Sequence, residues 1–166
     1  MKALFTRTTT ALAVLLVLAA TAAAITAPPL TPIQQMFILK EMKPDVERVG
    51  IIWRQDSPQH DKLMSQVQRA SSASNVQVFV AYVEGIRDVA PSYRTLRRQH
   101  NIDVLWILEN DDTIGSNVAR EYLIKTATQH GIPLLAPSPD WVNDGAPVSL
   151  QSSGDGIQIV VNKAAA

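Results

Sequence analysis

Asp111 and Asp112 are the one adjacent pair of carboxylates in the chain, and they stand in a dense polar run, Glu109-Asn110-Asp111-Asp112-Thr113. That run follows directly on the apolar stretch Val104 to Leu108. Carboxylates so placed can accept hydrogen bonds from an amine or a hydroxyl, ligate a divalent cation, or take a phosphoryl group as receiver-like folds do. The phosphoryl reading calls for an acidic pair at the end of the first strand as well, and only Asp56 stands there. Ser57, Thr113 and Ser138 place hydroxyls where helices are expected to begin. The free N–H groups of a helix start suit a carboxylate or phosphate. Glu84 and Asn110 are further polar residues expected at strand ends.

Other chemistries lack their residues. Nothing matches GxGxxG, GxxxxGK[ST] or GxSxG, so the phosphate-binding and nucleophile-elbow fingerprints are missing. His60, His100 and His130 have neither metal-ligand spacing nor a catalytic partner, and there is no cysteine. No catalytic residue, metal site or cofactor is expected.

The residues that could bind a ligand must be positioned by alternating elements. "RVGIIW" (48–53), "VQVFVAYV" (76–83), "DVLWIL" (103–108), "IPLLA" (132–136) and the weaker "PVSL" (147–150) read as buried strands. Helical spacing falls between them. Ile33, Met36 and Phe37 mark a helix begun by Thr31-Pro32 and stopped by Pro44. Leu63, Val67 and Ala70 mark one begun by Ser57-Pro58. Val89, Tyr93 and Leu96 mark one capped by Asp88, and Val118, Tyr122 and Leu123 one closed by Gly131. Ser138-Pro139 starts a short helix, and the final "GIQIVVNKAAA" is expected to be a helix or its beginning. The pattern predicts an α/β fold: a doubly wound parallel sheet of about five strands in the order 2-1-3-4-5, as a single Rossmann-like or flavodoxin-like lobe. In such sheets ligands bind beyond the carboxyl ends of the strands. The candidate ligand-binding residues, Asp56, Ser57, Glu84, Asn110, Asp111, Thr113 and Ser138, all fall on that rim. Each is also an ordinary cap or loop residue type.

Ahead of this domain, Lys2 and Arg7 precede an apolar run from Ala11 to Ala24 that closes on Ala22-Ala23-Ala24. A short positive region, a short apolar region and a small-residue cut site make residues 1–24 a secretory signal; an uncleaved anchor is the alternative. Residues 25–31 read as an extended linker and 32–166 as the domain. Export without cysteine fits the periplasm, with no stable membrane insertion once the signal is removed. The chain balances 15 basic against 15 acidic residues. No basic stripe argues for nucleic acid.

From Pro32 to Trp53, "PIQQMFILKEMKPDVERVGIIW", the sequence resembles the periplasmic substrate-binding proteins of ABC transporters, in their tryptophan/aromatic-type group. In that family the second lobe opens with a helix, a proline-bearing turn, a basic residue and an apolar strand. Here these look like Pro44, Arg48 and Val49-Gly50-Ile51-Ile52-Trp53. Ile102 to Trp106, Asn110 to Ile114, Ile132-Pro133 and Val142 to Ala146 are similar to later family segments, so the resemblance covers 32–162. It departs in the first loop, where Trp53-Arg54-Gln55 replaces a Tyr-Asn-Pro-like turn. The resemblance implies a non-enzymatic solute-binding or solute-sensing module, with Asp111 and Thr113 facing the ligand. Family members have two lobes and one is expected here. The other reading is therefore a periplasmic accessory protein whose rim takes a protein partner or forms a homodimer. Trp53 and Trp106 would stack on a ligand if exposed, but inside buried strands core packing is the plainer reading.

Overall fold

The computed structural model describes residues 29–154 and 156–164. The expected signal over 1–24 and most of the linker lie outside them. Among these residues five helices and six strands follow one another, alternating as far as β5: α1 (Pro32–Met42), β1 (Arg48–Arg54), α2 (His60–Ser74), β2 (Gln77–Val83), α3 (Ile86–His100), β3 (Val104–Trp106), α4 (Asn117–Gln129), β4 (Leu134–Ala136), α5 (Pro139–Asn143), β5 (Val148–Ser153) and β6 (Gly156–Val161). They build one sheet in the order β2-β1-β3-β4-β5-β6. The first five strands are parallel, and β6 runs antiparallel to β5.

Both faces of the sheet are covered, which is why its central strands are apolar throughout. Val49, Ile51, Trp53, Val104, Trp106 and Leu135 point to one face and pack with residues of α1 and α2. Ile52, Leu105, Ile107 and Leu134 point to the other and pack with Tyr93 and Leu96 of α3 and Leu123 of α4. At the amino ends of the strands Asp103 ties β1 to β3. Its Oδ2 accepts from the backbone N–H groups of Glu47 and Arg48 at 3.0 and 2.8 Å.

Several local expectations are corrected. The final segment is a strand. Four of its six residues, Ile157, Ile159, Val160 and Val161, are β-branched, a composition that suits a strand. Gly156, at φ 141, opens the strand in a backbone region that disfavours side chains. In α1 the buried face is Pro32, Met36 and Leu39, while Ile33 and Phe37 are exposed. The four-residue step from Ile33 to Phe37 had masked the step from Met36 to Leu39. Val118 of α4 is 67% exposed, and the inward face is instead Ala119, Leu123, Ile124 and Ala127. Two cap assignments also change. Helix α2 starts at His60, two residues past Pro58, with Gln59 at the cap position, and Ser57 Oγ accepts from the Gln59 N–H at 3.3 Å. Asp88 lies inside α3 and accepts from the Gly85 N–H at 3.1 Å, so Gly85 is the cap.

Candidate functional site

The polar run after β3 folds into a tight, internally bonded loop. Asp111 Oδ1 accepts from the N–H groups of Thr113 and Ile114 at 2.6 and 2.8 Å, an Asx-type turn that reverses the chain. The Gly115 N–H donates to the Asp111 carbonyl at 2.8 Å. A Cβ on Gly115 would lie 2.4 Å from Asn110 Oδ1 and 2.6 Å from the Asp111 carbonyl oxygen, so only glycine lets the loop close. Asn110 Oδ1 in turn accepts from Trp141 Nε1 at 2.9 Å, which pins the loop to α5. Ser116 caps α4 by accepting from the Ala119 N–H. This network leaves one atom over. Asp111 Oδ2 is buried and has no hydrogen-bond partner among the described residues.

Next to this loop, Glu109 joins the ends of β1 and β3. Its Oε2 accepts from Trp53 Nε1 at 2.6 Å and from Ser57 Oγ at 2.7 Å. Trp53 is buried, so Glu109 satisfies an indole N–H that would otherwise be stranded. Beyond Trp53, the His60 ring lies 5.1 Å away between centroids, and His60 Nε2 meets the Tyr82 hydroxyl at 3.0 Å. Arg54 forms a two-pronged pair with Asp56. Hydrogen bonding to Arg54 holds the Asp56 carboxyl below its ordinary range, and the reciprocal bond raises the guanidinium.

A cleft of about 710 Å³ opens at this rim on the α1 and α2 side of the sheet. Its floor includes Leu108 to Asp111, with Leu150 to Ser152 from β5 on one side. Its walls are the start of α1, including Gln35, and Gln59, Lys62 and Gln66 of α2. Lys62 is the cleft's cation and makes no ion pair among the described residues. Neither Trp53 nor Trp106 lines the cleft. Both are buried, and Trp106 Nε1 donates to Gln35 Oε1 at 2.9 Å. The core reading of both tryptophans holds.

Of the seven residues picked out in the sequence, Asn110 and Asp111 line the cleft. Thr113 lends its backbone to the Asp111 turn. Ser57 is held one step back by Glu109. Ser138 precedes α5 with its Oγ buried and unpartnered. Asp56 points outward to Arg54, and Glu84 is exposed past the end of β2, so neither joins the cleft. The rim is not closed by mutual pairing of Arg54 with Asp111 and Asp112, since Arg54 is taken by Asp56. Sequence reasoning missed Gln35, Lys62 and the linking role of Glu109. Glu109 stood in the same polar run, but the other two lie on helix faces and carried no signal. Among the described residues no group of three or more His, Asp or Glu side chains gathers to hold a metal ion.

The sequence matches the family described as ABC transporter substrate binding protein over residues 29–162. The chain belongs to this family. No curated protein sequence matches it significantly. Among solved structures, a conserved domain protein from Vibrio cholerae is 21% identical with a TM-score of 0.70, covering 84% of this chain and 54% of its own. A substrate binding protein with adhesive properties from Clostridium difficile, in a ligand-free, open structure, is 16% identical with a TM-score of 0.71, covering 82% and 54%. An ABC domain from Streptococcus pneumonia in complex with L-Trp is 16% identical with a TM-score of 0.62, covering 72% and 39%. At these identities the likeness establishes the fold. This substrate-binding lobe spans about half, or less, of the structures it matches. No helix among its described residues is long and apolar enough to cross a membrane.

Proposed function

We propose that this chain is a solute-binding lobe, exported to the periplasm, that holds a small polar solute in the rim cleft through Asp111. The observation that carries this reading is that Asp111, a cleft residue, has its Oδ2 buried without a partner among the described residues while its other oxygen is fixed by two backbone N–H groups. An unpaired buried acceptor costs roughly 1–3 kcal/mol, and a ligand's amine or hydroxyl would recover it. Lys62 stands on the α2 wall of the same cleft and complements a carboxylate, so a zwitterion such as an amino acid fits the polarity of the cleft. Apart from Glu109, whose Oε2 is held by Trp53 and Ser57, the rest of the lining is amide, hydroxyl and aliphatic, which favours an aliphatic or polar solute over one that needs a stacking face.

One lobe covers only part of such a ligand, so a second surface completes the site. A second lobe, a partner protein or another copy of the chain can supply it; the length of the matched structures supports a missing wall. Nothing in the family or in the site calls for catalysis.

Thermal unfolding of the purified chain against a panel of amino acids tests this. A ligand that binds only the folded state raises the midpoint in proportion to the logarithm of its concentration over Kd. The expected result is a shift present in the parent and lost in Asp111→Asn. A shift of equal size in Asp111→Asn would remove Asp111 from the site. A folded chain that no compound shifts would overturn the reading for that panel, and a mass doubled by self-association as well would make the rim an interface between copies.

A further inference from the structure

Four of the chain's nine arginines, Arg87, Arg94, Arg97 and Arg98, lie on α3. Elsewhere Arg48, Arg54 and Arg120 each meet a carboxylate. Among the described residues none of the four on α3 does. Arg87, Arg94 and Arg98 follow one another at seven and four residues, so at about 100° per residue they fall within a sector of about 40°. That sector lies opposite the buried face of Val89, Tyr93 and Leu96, and all three arginines are exposed.

Helix stability does not account for the stripe. Cations favour the last turn of a helix, which covers Arg97, Arg98 and His100. Arg87 is the second residue of α3, where the macrodipole opposes a cation. The one acidic residue of the helix, Asp88, is committed to the Glu84 and Gly85 N–H groups and neutralises none of them. Between Arg94 and Arg98 the surface is concave, with about 300 Å³ lined also by Pro91, Thr95 and Gln99.

We propose that this face of α3 docks an acidic segment of a partner protein, one that presents carboxylates at helical spacing. Guanidinium groups bind carboxylates in a two-pronged, directional way, and Thr95 and Gln99 add neutral hydrogen-bonding groups beside them. An anionic bilayer fits less well. Pro91 and Thr95 separate the arginines, and the stripe has no large apolar side chain to enter the lipid interface. The face lies on the opposite side of the sheet from the cleft, so it can be engaged whether or not a solute is bound.

The test uses the purified chain and a fluorescent helical peptide carrying Glu at steps of four, three and four residues. Its comparators are a scrambled peptide of the same composition and vesicles rich in phosphatidylglycerol, all at low salt. The striped peptide should bind, and about 0.5 M salt should abolish the binding. Arg94→Glu with Arg98→Glu should weaken it about tenfold or more. The equal charge change made by Arg69→Glu with Lys125→Glu, on α2 and α4, should cost less than about twofold. Should the reversed pair melt early, Arg94→Gln with Arg98→Gln replaces it. Equal losses in the control pair, equal binding of the scrambled peptide, or no binding at low salt would overturn the proposal. Binding to the vesicles without binding to the peptide would replace it with a lipid surface.

Discussion

Ser57 Oγ donates to Glu109 Oε2 at 2.7 Å, linking the loop after β1 to the end of β3. The same oxygen holds the buried Trp53 indole, so one carboxylate links the ends of β1 and β3, the second of which leads into the cleft. Glu109→Ala strands the Trp53 N–H and should destabilise the fold by roughly 1–3 kcal/mol, read as an earlier denaturant midpoint. Glu109→Gln retains an acceptor and should cost less. If both cost the same, the charge rather than the acceptor is what Trp53 and Ser57 need.

Asp111 has one oxygen engaged by the fold and one without a partner among the described residues. Asp111→Asn keeps the turn's acceptor and should change the melting midpoint little while removing the ligand-induced shift. Asp111→Ala loses the turn as well and should cost about 1 kcal/mol in the absence of any ligand. A large loss of stability in the Asn variant would show that Oδ2 is structural.

Gly115→Ala sets a methyl group against Asn110 Oδ1 and the Asp111 carbonyl. The loop must open or Asn110 must release Trp141, and a penalty of about 2 kcal/mol or more is expected. Trp141 is fully buried, so a change in near-ultraviolet dichroism should accompany the loss. An unchanged midpoint would mean that the loop tolerates another path.

Burial pushes the Tyr93 hydroxyl from an ordinary 10.0 to about 12. A pKa raised on folding favours the protonated form, so this stability is complete below pH 10 and is lost as pH rises towards 12. The window is worth on the order of 2 kcal/mol. Tyr93→Phe removes the hydroxyl that meets the Thr126 carbonyl at 3.2 Å and His130 Nδ1 at 3.1 Å. It should be less stable than the parent near neutrality and lose less on the alkaline side. Parallel alkaline limbs in the two proteins would assign the effect to another group.

Much of the architecture was legible because burial on both faces of a parallel sheet leaves continuous apolar runs such as Val49 to Trp53, and proline, serine and glycine mark the turns. β6 is ambiguous in the sequence because its short β-branched run, Ile157 to Val161, has no clean alternation and leads into the helix-forming alanines at 164–166. The rim position of the candidate residues followed from topology. Which of them meet did not, because Asn110 with Trp141 and Glu109 with Ser57 lie 31 and 52 residues apart in sequence.

By itself the sequence determined the order of elements as far as β5, the first five strand neighbours and the edge at which polar side chains gather, since these depend on local period and on the handedness of short crossovers. Tertiary structure decided the division of labour. Asp56 and Asp111 are both rim carboxylates by sequence. Arg54 bends back and takes the first in solvent, while the Asn110–Ser116 loop buries the second with one oxygen free. A side chain's partners depend on which loops approach in space, and neither period nor propensity encodes that distance.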